Sequence, residues 1–257
     1  MSVVALVLAG GQVKARHAAD WAPLLPLGTR NRALLDLQGK PMYQRVVEVL
    51  QATPEVGRIL LAGDVPPLPD CIAVAGGESM VDTLLNGVAA LRREETRLLV
   101  VTADIPFLTP EALVDLLHSA PDADFVYTII PASLCREAFP DMRRTTLKIA
   151  EGEFTGGNVV LLNPAFLRTS EAAVRKSYAL RKNVPGLAAL LGPGTILRLL
   201  ASRLSPALLS LPQLEAAVSR LLGGARARAL ISRFPGIGAD VDHPEDVALV
   251  RLYLARG

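Results

Sequence analysis

The chain is short of several things, and each shortage excludes something. Among 257 residues only Cys71 and Cys135 are cysteines, without metal-site or redox spacing. Two free thiols in a reducing compartment are therefore expected, and with them a cytoplasmic location. No apolar run is long enough to cross a bilayer, which argues against integral membrane association. Charge of one sign is scarce: 27 basic residues face 25 acidic ones, for a net charge of +2. That surplus is too slight to point to a nucleic-acid partner. Lysine is rare, with only Lys14, Lys40, Lys148, Lys176 and Lys182 among the basic residues; genome composition and heat adaptation account for such a bias equally well. The first apolar run, Val3–Leu8, has no basic leader and reads as a buried strand rather than a secretion signal.

What is present suits one large α/β domain. The chain is 51% hydrophobic and 20% charged, enough to build a substantial core. Apolar strands alternate with amphipathic helices, the pattern of a mostly parallel, doubly wound sheet. Strands are predicted at Val3–Leu8, Arg58–Ala62, Ile72–Val74, Arg97–Thr102 and Phe125–Ile129, and a hairpin over Thr145–Ala150 and Phe154–Leu162 turns at Gly152. Helices are predicted at Pro41–Ala52, from Ser79 to about Leu91, at Thr109–His118 and from Asn163 to Lys176, with Ser79 and Thr109 as N-caps. Val184–Gly223 is rich in leucine and alanine, broken by Pro193, Pro206 and Pro212, and reads as two or three short helices. Such leucines serve packing or a homodimer more often than they cover a lipid-like acceptor. A strand at Ala229–Ser232 and a helix at Pro244–Ala255 close the chain.

The residues with chemical promise fall at strand ends. Val3–Leu8 runs into Ala9-Gly10-Gly11, and a basic loop with Lys14, Arg16, Arg30 and Arg32 follows, ending in Gly39-Lys40-Pro41. Glycines after a strand let several N–H groups approach one anion, and arginines supply the charge a triphosphate needs; an ordinary strand-to-loop turn is the plainer alternative. Asp104 follows the apolar strand that ends at Thr102, where open α/β sheets bind ligands, and a carboxylate there suits a hard cation such as Mg²⁺. Asp242, with Asp240 as the alternate, would be its partner, since residues two apart on a strand share a face. Equally, Asp242 could cap the helix beginning at Pro244, with His243 a mere neighbour. Gly77-Glu78-Ser79 opens a helix whose N–H groups and hydroxyl could hold a ligand or simply cap; Thr83 and Asn86 share its next face. Arg143-Arg144 and Lys148 precede Thr155-Gly156-Gly157-Asn158, a basic cluster beside a turn that either faces an anionic acceptor or is solvated.

In order along the chain, Leu8-Ala9-Gly10-Gly11 with Arg32-Ala33-Leu34 and Gly39-Lys40-Pro41-Met42, then Asp104-Ile105-Pro106, then Asp240-Val241-Asp242-His243-Pro244-Glu245-Asp246 resemble the motifs of the MobA-like nucleoside-triphosphate transferases. That family includes molybdenum-cofactor guanylyltransferases, cytidylyltransferases and sugar-nucleotide pyrophosphorylases. Arg32 stands where its members usually carry lysine; a guanidinium neutralises phosphate but is a flat fork, not a point charge. The resemblance implies a Rossmann-like three-layer α/β/α fold of the nucleotide-diphospho-sugar transferase type. Its sheet would be mixed but mostly parallel, and residues 1–257 would form one domain with a mainly helical insertion over 164–235. It also implies a nucleotidyltransferase passing NMP from an NTP to a small anionic acceptor. Asp104 and Asp242 would hold Mg²⁺; Arg16, Arg30 or Arg32 would cover the leaving phosphates. Leu8 to Gly11, Gly77 to Ser79 and Thr83 would hold base and ribose, and Lys40, Arg144, Gly157 and Asn158 would face the acceptor. Two other classes stay open: a glycosyltransferase using a nucleotide sugar, and a catalytically silent nucleotide-binding module.

Overall fold

The computed structural model describes residues 2–180, 193–202 and 204–255. Eight strands form one sheet in the order β3-β2-β1-β4-β7-β5-β8, with β6 paired to β7. They are β1 (Val3–Leu8), β2 (Val56–Ala62), β3 (Cys71–Val74), β4 (Leu98–Thr102), β5 (Phe125–Pro131), β6 (Thr146–Ile149), β7 (Gly152–Leu162) and β8 (Ala227–Ile231). β7 runs antiparallel to its neighbours β4, β5 and β6, and the other pairings are parallel. The mixed, mostly parallel sheet expected above is therefore present.

Why these segments are strands is legible in their burial. Val3 to Val7 are all buried, as are Leu98 to Val101. A central parallel strand covered on both faces tolerates an unbroken apolar run. On one face lie α2 (Met42–Gln51) and α4 (Pro110–Ser119), whose Val46, Val47, Leu50, Leu113 and Leu116 pack on Ala5, Val7, Leu99 and Val101. On the other lie α3 (Met80–Ala89) and α6 (Pro164–Leu180), whose Val81, Val88, Phe166 and Leu167 pack on Val4, Leu6, Leu60 and Val100. A third cluster joins Trp21, Leu35, Leu37 and Met42 to Met142, Val241, Val247 and Val250. It draws the first forty residues and the last helix, α9 (Pro244–Leu254), to the same end of the sheet.

Some expectations need revising. The loop from Gln12 to Thr29 contains a 3-10 turn, Ala15–His17, and the short helix α1, Ala18–Trp21, which anchors it by burying Trp21. Helix α5, Ala132–Ala138, had no clear sequence signal, because a seven-residue helix burying only Ala132 and Cys135 leaves almost no period. The helix expected to end at Lys176 continues to Leu180. Within the leucine-rich region, α7 (Pro193–Ala201) and α8 (Leu211–Leu221) are helical; residues 184–192 of that reading, like Arg181 and Lys182, lie outside the described residues. Among the described residues no helix is long and apolar enough to cross a membrane.

Candidate active site

The site forms where β1 and β4 end side by side, with Leu8 registered to Thr102. Beyond β1 the chain is held by hydrogen bonds that the sequence reading missed. Buried Asn31 donates from Nδ2 to the carbonyls of Ala9 (2.8 Å) and Asp64 (2.9 Å), and its Oδ1 accepts from Ala33 N–H (3.0 Å). Arg32 N–H donates to the Gly11 carbonyl at 3.0 Å and Val13 N–H to that of Arg30 at 2.7 Å. Gly63 closes the arrangement from behind. Its φ is +143°, and a Cβ there would lie 2.5 Å from the Ala9 carbonyl carbon, so only glycine fits. Gly10 and Gly11 are thus exposed on a rigid base.

Three carboxylates meet in front of it. Val241 N–H donates to the Asp104 carbonyl at 2.9 Å, which lays the segment 240–242 along the end of β4. One oxygen each from Asp104, Asp240 and Asp242 then falls within 4.8 Å of the others. The choice between Asp240 and Asp242 dissolves: both are present, projecting alike from an extended segment outside any strand. Asp242 does not cap α9. His243 is the N-cap, and Asp246 accepts the N–H groups of His243 (2.8 Å) and Asp242 (3.1 Å). The Asp242 carboxylate takes no part in the cap and is exposed.

Arg32 binds this group electrostatically. Its guanidinium lies 3.0 Å from Asp242 Oδ1 and 3.6 Å from Asp104 Oδ2, donates to the Val241 carbonyl at 2.9 Å, and sits 5.9 Å from the centre of the Trp21 ring. Trp21, the only tryptophan of the chain, was another residue not singled out. Asp104 Oδ1 is buried, without a well-formed hydrogen bond, and the Thr102 hydroxyl is its polar neighbour. Burial pushes the Asp104 carboxyl above the ordinary carboxylate range, against the pull of the Thr102 hydroxyl and of Arg32 and with help from Asp242. A buried, unpartnered carboxylate oxygen costs free energy unless a cation or donor completes it. Three convergent carboxylates, one of them with a buried, poorly satisfied oxygen, fit a hard divalent cation.

The remaining predicted residues divide. Arg144 pairs with Asp240 through side chain and carbonyl, so it holds the acidic segment and is not free for an acceptor. Burial lowers its pKa, as removal from water must for a cation. Lys40 is engaged by Glu48 of α2. Arg16 donates to His17 at 3.0 Å, and Arg30 is exposed. Ser79 Oγ is spent on a capping box with Asp82, accepting from Asp82 N–H at 3.1 Å and donating to its carboxylate at 2.6 Å. Asp82 is also paired to Arg175, which holds Glu171 at 2.8 Å. Thr83 Oγ1 accepts from Gly77 N–H at 3.0 Å, donates to the Ser79 carbonyl and lies beneath Gly10. Glu78 is exposed. Gly157 is buried against Thr128 and Ile237. Asn158, one residue before the Val159–Val101 pair, is half-buried on the sheet face that also carries Val160 and Leu162.

With this geometry in view, the comparisons are specific. The MobA-like NTP transferase domain matches residues 5–234. No curated protein matches. The chain is similar to a hypothetical transferase from Thermus thermophilus, at 35% identity over 96% of this chain and 100% of that one, with a TM-score of 0.83. More distant likenesses show the shared fold. CMP:2-keto-3-deoxy-manno-octonic acid synthetase, solved with CTP, gives a TM-score of 0.58 at 16% identity, covering 99% and 98% of the two chains. The 2-C-methyl-D-erythritol 4-phosphate cytidylyltransferase from Thermus thermophilus gives 0.57 at 14%, covering both chains fully.

Proposed function

The chain belongs to the MobA-like NTP transferase family, and within that family of nucleotidyltransferases we propose a Mg²⁺-dependent enzyme. It would transfer NMP from an NTP to a small anionic acceptor and release pyrophosphate. The observation that carries this reading is the meeting of Asp104, Asp240 and Asp242, with the Arg32 guanidinium lying between the first and last of them and next to Gly11.

The acceptor oxyanion attacks the α-phosphorus; a P–O bond to the acceptor forms as the bond to the β-phosphate breaks, and the electron pair leaves with pyrophosphate. Such a nucleophile already carries charge and needs no general base, so positioning and electrostatics supply the rate. The Gly10–Gly11 backbone, propped by Asn31 and Gly63, receives the nucleotide. Arg32 leaves its carboxylate partners to follow the β- and γ-phosphates. Asp104, Asp240 and Asp242 would hold Mg²⁺, which when bound supplies neutralisation of phosphoryl charge. Arg144 keeps Asp240 in place. Asn158, on the neighbouring strand, faces the acceptor side.

A thermal-shift panel of ATP, CTP, GTP, UTP and dTTP, with and without Mg²⁺, on wild type and Asp104→Ala tests the reading, since a ligand of the folded state raises its apparent stability. One triphosphate should give a Mg²⁺-dependent shift that is lost in the variant, and it then serves in acceptor screens for pyrophosphate release. A shift with UDP- or GDP-sugars and none with any triphosphate would sink it. Triphosphate binding without turnover in any acceptor screen would point to a silent binding module.

A further inference from the structure

Between β5, the β6–β7 hairpin and α8 lies a cavity of about 410 Å³ that the reaction above does not use. Its wall is mostly apolar: Phe125, Tyr127 and Ile129 of β5, Leu147 of β6, and Leu214 and Val218 of α8. The volume is that of a small-molecule site, and the cavity is not sealed, since Tyr127 and Leu147 each remain 37% exposed. Polar groups are few, chiefly Arg228 and Glu215 beside Thr146 and Thr155.

Its position ties it to the acceptor side. Residues 154–156 of β7 pair with β5 rather than with β4, so this part of β7 runs on beyond the end of the parallel strands. Gly156 lines the cavity, and Asn158, two residues along, shares its sheet face. The bare Gly156 leaves room for the Tyr127 ring, since a Cβ in its place would lie 2.0 Å from Tyr127 Oη and force that side chain to move. On its other side, the Gly156 carbonyl is 3.3 Å from where a Cβ of Gly238 would sit, and Asp240 is two residues further on. Gly156 thus lines the cavity and also meets the segment that leads to Asp240.

We infer that this cavity receives the apolar part of the acceptor, so that the acceptor is an amphiphile. Its anionic head meets the α-phosphate and its hydrocarbon portion lies between β5 and α8. This rests on the nucleotidyltransferase reading for the role of the head group. The occupant is a single amphiphilic molecule taken from solution, because the cavity is walled by β5, the β6–β7 hairpin and α8 instead of being a flat face.

The test is calorimetric titration of the full chain, in Mg²⁺ buffer, with n-octyl phosphate below its micelle concentration and with methyl phosphate. The two probes share a head group and differ only in hydrocarbon. Octyl phosphate should bind at least about tenfold more tightly, since each buried methylene adds to affinity. Ala229→Phe, which fills the cavity from β8, should abolish that preference and leave methyl phosphate binding and the triphosphate-induced thermal shift unchanged. Val218→Ser, which adds no bulk, should reduce the preference partially and keeps the test valid if Ala229→Phe does not fold. Equal affinities in wild type, or a preference that survives both substitutions, would overturn the inference. So would a preference seen only with phosphatidic acid vesicles, which would mark a membrane surface. Octyl preference without any triphosphate shift would overturn the nucleotidyltransferase reading and leave the cavity assignment standing; a triphosphate shift without octyl preference would do the reverse.

Discussion

Two regions of the molecule are built on different principles. Beyond β1, where the nucleotide is proposed to bind, position is enforced by short-range backbone chemistry: Asn31 ties two carbonyls, Gly63 lets the chain pass within touching distance of Ala9, and Ser79 and Asp82 close a capping box. Around β5, β7 and α8, where the acceptor is proposed to lie, the wall is apolar and partly open. A triphosphate offers the same oxygens to every member of a fold, so a rigid set of donors suits it. An acceptor differs from enzyme to enzyme, and side chains on strand edges and a helix can vary without disturbing the sheet. The acidic cluster joins the two sides, with Asp104 supplied by β4 and Asp240 and Asp242 by the end of the chain.

The sharpest way to break this division is to remove the junction. Asp104→Asn should lower turnover by roughly 100- to 1,000-fold, the loss typical of a preorganised charge, while far-UV circular dichroism stays unchanged; retained turnover would remove Asp104 from the chemistry. The same variant separates catalysis from stability. Because burial raises the Asp104 carboxyl's folded-state pKa, protonation favours the folded state. Its contribution is complete at pH below the unfolded carboxylate value and is lost as pH rises through the raised folded value. The wild type without ligand should therefore lose stability relative to Asp104→Asn as pH climbs from about 4 toward neutrality, as melting temperatures would record; parallel curves would contradict the burial argument.

Gly63→Ala tests the rigid side alone. The clash is with backbone that cannot swing away, and the φ of +143° is hostile to a side chain. A loss of about 3 kcal/mol is expected from denaturant unfolding. Gly28→Ala, also at positive φ but with nothing within 4 Å, should cost only about 1 kcal/mol; equal losses would mean the close approach to Ala9 is unimportant. Arg144→Ala should cost roughly 2 kcal/mol, less than a fully buried pair because its side chain and that of Asp240 keep 14% and 16% exposure, and should weaken Mg²⁺-dependent binding. The smallest effect belongs to Ser79→Ala. Loss of a cap costs about 1 kcal/mol, and with the hydroxyl already spent on Asp82, triphosphate KM should barely move; a large KM effect would make Ser79 a ligand after all.

The sheet was almost fully legible in the sequence, because β1 and β4 are buried, nearly unbroken apolar runs, β2 ends in one after Arg58, and the helices begin at Ser79, at Thr109 and after Pro41. The short α5 was not, having too few turns to show a period. Candidate site residues were legible as types at strand ends, but their partners were not. Nothing in the local sequence distinguishes Arg144, committed to Asp240, from Arg143 beside it, nor shows that Lys40 is taken by Glu48 or Ser79 by Asp82. Asn31 sat inside the recognised motif without a role, because its partners, Ala9 and Asp64, lie 22 and 33 residues away.

The sequence alone determined the alternation of strands and helices, the glycine loop after β1 and the carboxylates at strand-end positions, since these follow from local periodicity and short-range backbone preferences. Only the tertiary structure decided that Asp240 and Asp242 both reach Asp104, that Arg32 lies between them and Trp21, and that a cavity opens between β5 and α8. Those are contacts between segments up to 210 residues apart, made where the common core buries both ends of the chain together, and local preferences carry no record of them.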